Sequence, residues 1–250
     1  MRIAWEERGS GRPLLLIQGL GYARWSWEPV VPLLAEQYRV LFFDNRGIGE
    51  SDKPEGPYSA RVMADDALQV LDDAGVDRAH VLGASLGGMI AQELAVAAPE
   101  RVDKLVLCCT TPGGAATVPM PQVTVDLFAE AATLPPEVAL RRFVENALSA
   151  DAAAELVQEI FDRRVANPLD PAGWQAQAAA GLGFQGVDGA IAAPTLIVTG
   201  TDDNVVDPRN ADVLAEQIPA ARLERIDGAG HLFFWEQPDR FVRIVREFLQ

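Results

Sequence analysis

Short apolar runs of strand length alternate along the chain with longer stretches in which apolar residues recur every three or four positions. This is the pattern of parallel strands joined by helices. The first buried run covers residues 14–17, with glycines following at 19 and 21. A helix is predicted to open around residues 29–32 and to run through Leu33, Leu34 and Ala35, with proline near its start, where a missing N–H does no harm. Residues 39–43 form the next strand, and the polar, glycine-punctuated loop 44–52 follows. Met63, Ala67, Leu68, Leu71 and Ala74 then trace an apolar stripe that stops at Gly75, a residue suited to the left-handed turn after a helix. A third buried strand is predicted over 79–82, a helix over 86–98 ended by Pro99, and a fourth strand over 102–109.

Beyond residue 112 the pattern changes. Up to about residue 192 no buried strand is expected, and alanine-rich helical stretches such as 138–148 and 152–165 are broken by Pro135, Pro136, Pro168, Pro171 and several glycines. Strand character returns at Thr195, Leu196, Ile197 and Val198. A helix near 210–217, a strand near 222–226 and a last helix whose Phe241, Val245 and Phe248 face inward complete the series. No internal repeat or low-complexity tract interrupts it. The expected fold class is α/β: a mostly parallel, doubly wound sheet formed by residues 1–111 and 193–250, with 112–192 inserted as a helical cap. A chain of 250 residues has ample length to bury such a core.

Composition narrows the function. Hydrophobic residues make up 49% of the chain and charged residues 23%, which is ordinary for a globular protein and unlike a disordered or fibrous one. Twenty-one basic against thirty-six acidic residues give 21 − 36 = −15, a field that repels phosphate backbones and anionic lipid. The expected partner is a small molecule, with nucleic acid and membrane excluded. No apolar run approaches the ~18 residues that cross a bilayer, and the first eight residues lack a signal peptide's apolar stretch, so a cytoplasmic location is expected. Cys108 and Cys109, adjacent in an apolar run, are assigned to a buried strand with no redox role. With only His80 and His231, and no Cys/His pair at zinc spacing, no metal site is expected.

The strongest chemical signal is Gly83-Ala84-Ser85-Leu86-Gly87, which follows a predicted strand and opens a predicted helix. A G-x-S-x-G nucleophile elbow requires that context. A serine in a strained, positive-φ turn needs small neighbours two positions to either side so that strand and helix can approach. The same turn aims the Leu86 N–H at a reacting oxygen from the start of a helix whose dipole favours negative charge.

With that motif in its place, the chain resembles the α/β-hydrolase family nearly end to end. The family order of nucleophile, acid and histidine implies Ser85 as nucleophile and His231, in Gly228-Ala229-Gly230-His231, as general base. His80 precedes the serine and is expected to be structural. Asp202, Asp203 and Asp207 all follow the strand at 195–199; the family spacing from Gly200 implies Asp203 as the acid and leaves the other two to turn and cap chemistry. The resemblance also implies the Leu20 N–H, after Gly19, as a second oxyanion donor. Here Gln18 precedes that glycine in place of the family's usual histidine, and Ala84 replaces a common histidine or tryptophan; neither change touches the donors, which are backbone groups. The loop 44–52 looks like a recurring family loop, with Asp44 and Arg46 expected to fix its geometry. Trp25, Trp27, Trp174 and Phe233 are candidates for lining an apolar acyl pocket roofed by the inserted helices.

These residues imply a serine hydrolase that cleaves carboxylic esters or lactones through an acyl-serine intermediate, needing no cofactor and acting on small neutral or apolar substrates. A serine nucleophile disfavours the aspartate-dependent dehalogenases and epoxide hydrolases. The resemblance is greatest to small esterases and 3-oxoadipate enol-lactonases, while perhydrolases and carbon–carbon bond hydrolases share the scaffold. An anionic lactone would require a local arginine, such as Arg24 or Arg141, at the pocket. A slow-turnover ligand receptor built on the same scaffold is the alternative from another class.

Overall fold

The computed structural model describes residues Met1–Gln250. Seven strands form one sheet: β1 (Trp5–Arg8), β2 (Arg12–Ile17), β3 (Tyr38–Phe43), β4 (Ala79–Ala84), β5 (Val102–Cys108), β6 (Thr195–Gly200) and β7 (Arg222–Ile226). Their spatial order is β1-β3-β2-β4-β5-β6-β7, and every neighbouring pair is parallel except β1 with β3. Parallel neighbours need crossovers, and helices supply them: α1 (Val31–Leu34), α2 (Ala60–Asp73) and α3 (Leu86–Ala97) in the first half and α8 (Arg209–Gln217) between β6 and β7, after which α9 (Phe233–Glu236) and α10 (Pro238–Leu249) close the chain.

Both faces of the sheet are covered, which explains why the strands read as unbroken apolar runs instead of alternating ones. Leu15, Ile17, Leu41, Leu105 and Leu107 face one layer with Met63, Leu71, Ile90 and Leu94 of α2 and α3. Their neighbours Leu14, Leu16, Val40, Val106 and Cys108 face the other, against Leu34 of α1, Phe233 of α9, and Phe241 and Val245 of α10. Strand alternation therefore assigns each residue of a run to one of two cores.

The differences from expectation lie at edges. β1 was not predicted, because Trp-Glu-Glu-Arg offers a single apolar residue; it is an edge strand held by pairing with β3, with only Trp5 packed against the core. α1 is a single turn. Phe248 is only half-buried at the margin of α10, with the Lys104 ammonium 5.5 Å from its ring centre, whereas Leu249 is buried. Cys109 lies just past the end of β5 with φ +40°, so it belongs to the loop and not to the strand. Between β5 and β6 the chain makes four helices, α4 (Gln122–Ala131), α5 (Pro136–Asn146), α6 (Ala154–Ala166) and α7 (Pro171–Leu182), and no strand. No helix is long and apolar enough to cross a membrane.

β2, β4 and α3 meet more closely than side chains allow. A Cβ on Gly87 would stand 2.1 Å from the Ile17 carbonyl oxygen, and one on Gly83 would stand 2.1 Å from the Gly87 carbonyl oxygen. Backbone cannot retreat from such a contact without moving a strand. Gly87→Ala is expected to destabilise the fold by about 2–3 kcal/mol, lowering the melting temperature by about 5–10 °C, as read by thermal unfolding.

Candidate functional site

Each residue singled out for chemistry lies just beyond the carboxyl end of a strand: Gly19 and Leu20 after β2, Ser85 after β4, Asp203 after β6 and His231 after β7. The chain moves from β2 out to β3 and then returns to place β4 on the other side of β2, so a crevice opens at that reversal.

Ser85 has φ +55° and ψ −121°, a conformation that a non-glycine residue holds only when its surroundings force it. Its N–H donates to the Cys108 carbonyl at 2.9 Å, and its own carbonyl accepts from Gly88 N–H and from Thr110 Oγ1. Gly19 approaches so closely that a Cβ there would stand 2.9 Å from the Ser85 Cβ.

The loop carrying Leu20 is secured on several sides. The Gly19 N–H donates to Gln18 Oε1 at 2.7 Å, and Gln18 Nε2 donates to Ser26 Oγ at 2.6 Å. The Leu20 N–H has no protein acceptor, and Leu86 is the first residue of α3, where no preceding turn can accept its N–H. Two residues of the inserted helices hold Gly21, whose φ is +72°. Gln177 of α7 accepts from its N–H at 3.1 Å while donating to the Arg46 carbonyl at 2.7 Å, and Arg164 of α6 donates to its carbonyl at 2.7 Å. Gln177 is fully buried. Neither contact was legible in the sequence, since both residues lie more than a hundred positions from Gly21.

Asp203 and His231 are in contact: Oδ2 lies 2.8 Å from Nδ1. The other carboxylate oxygen accepts from the N–H groups of Val205 and Val206, so Asp203 is fixed as well as buried. The histidine loop is held by Glu236, which accepts from Gly230 N–H and Ser149 N–H, and by the Leu232 N–H donating to the Ala147 carbonyl. Asp207 instead pairs with Arg209, and Asp202 is exposed and bonded to Thr201. His80 is buried at the amino end of β4, the end away from Ser85, beside Asp103 and Tyr38.

Ser85, Leu20, Leu86 and His231 line one cavity of about 1020 Å³ between the sheet and the inserted helices. No hydrogen bond joins Ser85 Oγ to the imidazole. The lining is mostly apolar, with Tyr22, Phe128, Phe143, Phe184 and Phe234 among it. Of the four aromatic candidates only Trp174 lines it. Trp27 is fully buried against Phe234, Phe233 packs between Phe234 and Phe241, and Trp25 stands edge-on to Trp235. These three were misassigned because they belong to the core layer behind the site, whose bulk requirement produces the same residue types. Arg24 is engaged by Asp44, Glu6 and Glu50, and Arg141 lies over Phe161; the arginine at the cavity is Arg164. Asp44 also accepts from the Arg24 and Glu50 N–H groups, and Arg46 forks onto Asp66, so the loop 44–52 is fixed by charge-assisted bonds.

Burial works against charge on His231, but the Asp203 carboxylate, with Cys109 beside it, outweighs it and holds the imidazole well above its ordinary value. Burial moves His80 the other way, with Asp103 only partly offsetting it. The two histidines are therefore expected to give two separated NMR titrations, His231 above and His80 below the ordinary midpoint of about 6.5. Asp203→Asn is expected to bring the His231 midpoint down and leave His80 where it is. Because the folded-state value of His231 is raised, the pair's contribution to stability is full below that ordinary midpoint and is lost as pH rises through the folded value.

The sequence profile of the alpha/beta hydrolase fold matches residues 12–238. The 2-hydroxymuconate semialdehyde hydrolase of Pseudomonas sp. (strain CF600) is 32% identical over 262 residues, covering 100% of this chain and 90% of that protein. Among solved structures, the enol-lactonase of Burkholderia xenovorans LB400 superposes with a TM-score of 0.86 at 27% identity, covering 99% of this chain and 96% of the other. The esterase EaEST of Exiguobacterium antarcticum gives 0.84 at 27% identity, covering 98% and 94%. These similarities run through the sheet, the inserted helices and the strand ends that carry Ser85, Asp203 and His231, and the chain belongs to the α/β-hydrolase family.

Proposed function

We propose that the protein is a serine hydrolase that cleaves carboxylic esters or lactones through an acyl-serine intermediate, with the inserted helices acting as its cap. The observation that carries this reading is the strained Ser85 turn facing the same apolar cavity as the Asp203–His231 pair. When a carbonyl carbon is seated over Ser85, the hydroxyl turns to the imidazole, and His231 takes its proton as the oxygen attacks. The Leu20 and Leu86 N–H groups receive the negative charge that builds on the carbonyl oxygen. Asp203 fixes the ring tautomer through Nδ1 and stabilises the charged imidazole. His231 then protonates the departing alcohol, and in the second half-reaction it activates water to release the acid. Cavity size and apolar lining favour an extended hydrocarbon acyl or alcohol group over a small polar one.

One feature supports a second reading. Arg164 is the only lysine or arginine lining the cavity, and its guanidinium stacks 4.5 Å from the centre of the Tyr22 ring. A lactone or ester bearing a carboxylate would find its counter-ion there, which brings the enol-lactonase type of substrate back alongside the neutral esters. A panel of neutral and carboxylate-bearing esters of equal length separates the two: preference for the charged series by tenfold or more in kcat/KM, about 1.4 kcal/mol, establishes the second.

Ser85→Ala is expected to lower ester kcat by about a thousandfold or more and to abolish labelling by a fluorophosphonate probe. Rates within about tenfold of the parent would overturn the proposal. The parent kcat/KM is expected to rise with pH along the deprotonation of His231, with its midpoint above that of a free imidazole. Gln177→Leu releases the Gly21 N–H and the Arg46 carbonyl while leaving Ser85, Asp203 and His231 in place. It is expected to lower kcat by about tenfold while KM changes little, because it loosens a donor needed most in the transition state.

A further inference from the structure

Cys109 is the one thiol at the cavity, and the proposed reaction does not use it. It stands at the carboxyl end of β5, between the strand ends that carry Ser85 and Asp203, and its N–H is anchored to the Val198 carbonyl at 2.9 Å. Its positive φ marks a backbone held in place by its surroundings. The Cys109 sulfur, a carboxylate oxygen of Asp203 and a ring nitrogen of His231 all lie within 4.8 Å of one another, and all three residues are buried.

We propose that Cys109, Asp203 and His231 form a binding site for a thiophilic divalent cation, zinc or cadmium, whose occupation shuts down the Ser85 chemistry. Bonds of about 2.3 Å to sulfur and 2.0–2.2 Å to nitrogen and oxygen require donors about 3.3–3.6 Å apart. The sulfur closes in slightly, and the 2.8 Å Asp203–His231 contact opens to meet that spacing. A thiolate, a carboxylate and a neutral imidazole balance a divalent charge, so the complex is neutral and tolerates burial. The thiolate selects zinc and cadmium over calcium and magnesium, which prefer sets of oxygen ligands. Cys109 and His231 both line the cavity, which provides the route of entry. Binding releases the thiol proton, together with the imidazole proton where His231 is charged, and involves no change of oxidation state. Affinity therefore rises with pH. The donors come from the ends of three adjacent strands, so their separations along the chain resemble no zinc motif.

The loss of activity rests on the hydrolase proposal, whereas the binding does not, and two readouts keep them apart. Chelator-treated protein is titrated with cadmium while the ultraviolet thiolate-to-metal charge-transfer band is followed, and with zinc while hydrolysis is followed. The parent is expected to develop the band to one equivalent and to lose hydrolysis by about tenfold or more, with full recovery on adding chelator. Cys108→Ala is expected to respond as the parent does. Cys109→Ala, and Cys109→Ser should the alanine variant fail to fold, are expected to lose the band and to keep their own metal-free rates when zinc is added. A band absent from the parent, or unchanged in the Cys109 variants, overturns the site. A one-equivalent band with undiminished hydrolysis overturns the switch. Failure of the hydrolase reading itself shows in the Ser85→Ala assay and leaves the band intact.

Discussion

The contact of backbone against backbone where β2, β4 and α3 meet is the constraint on which the rest of the site depends. Gly19, Gly83 and Gly87 let three main chains come within distances that one added methyl group would forbid. Ser85 is held in its left-handed turn by that crowding and by its bond to the Cys108 carbonyl. The strain is local, but the whole doubly covered sheet resists its relief, because relaxing the turn would require displacing β2 or β4 from the centre of the structure.

Electrostatics at the site follow from the same architecture. The cavity wall is mostly apolar, so the few charged groups facing it are screened less than they would be in bulk water. Asp203 is tied by two backbone N–H groups as well as by the imidazole, and this keeps a buried carboxylate satisfied while leaving His231 the group with a changeable charge. Asp202 and Asp207 illustrate the contrast: nearly the same sequence position, but one exposed and the other neutralised by Arg209, and neither touches the imidazole.

Legibility in the sequence tracked the range of the interactions involved. The central strands were plain because both faces are buried, and the turn at Ser85 was plain because close approach demands glycine at fixed offsets. β1 was missed because an edge strand paired with β3 has no apolar run to reveal it. The aromatic residues Trp25, Trp27 and Phe233 were misplaced since a core layer and a cavity wall select for the same side chains, and only the three-dimensional packing separates them. Gln177, Arg164 and Cys109 carried no local pattern at all. Their significance arises from neighbours contributed by other strands and helices.

Gln177 and Arg164 grip the two polar groups of a single peptide-loop residue, Gly21, from two different inserted helices. An outward shift of either helix would loosen the segment that carries Leu20, the residue next to Gly21. Under the proposed reaction, admission and turnover would therefore favour different postures, a parted roof for ligand exchange and a closed one for the pair of N–H groups to act together. On that reading, a roomier doorway comes at the cost of slower chemistry behind it.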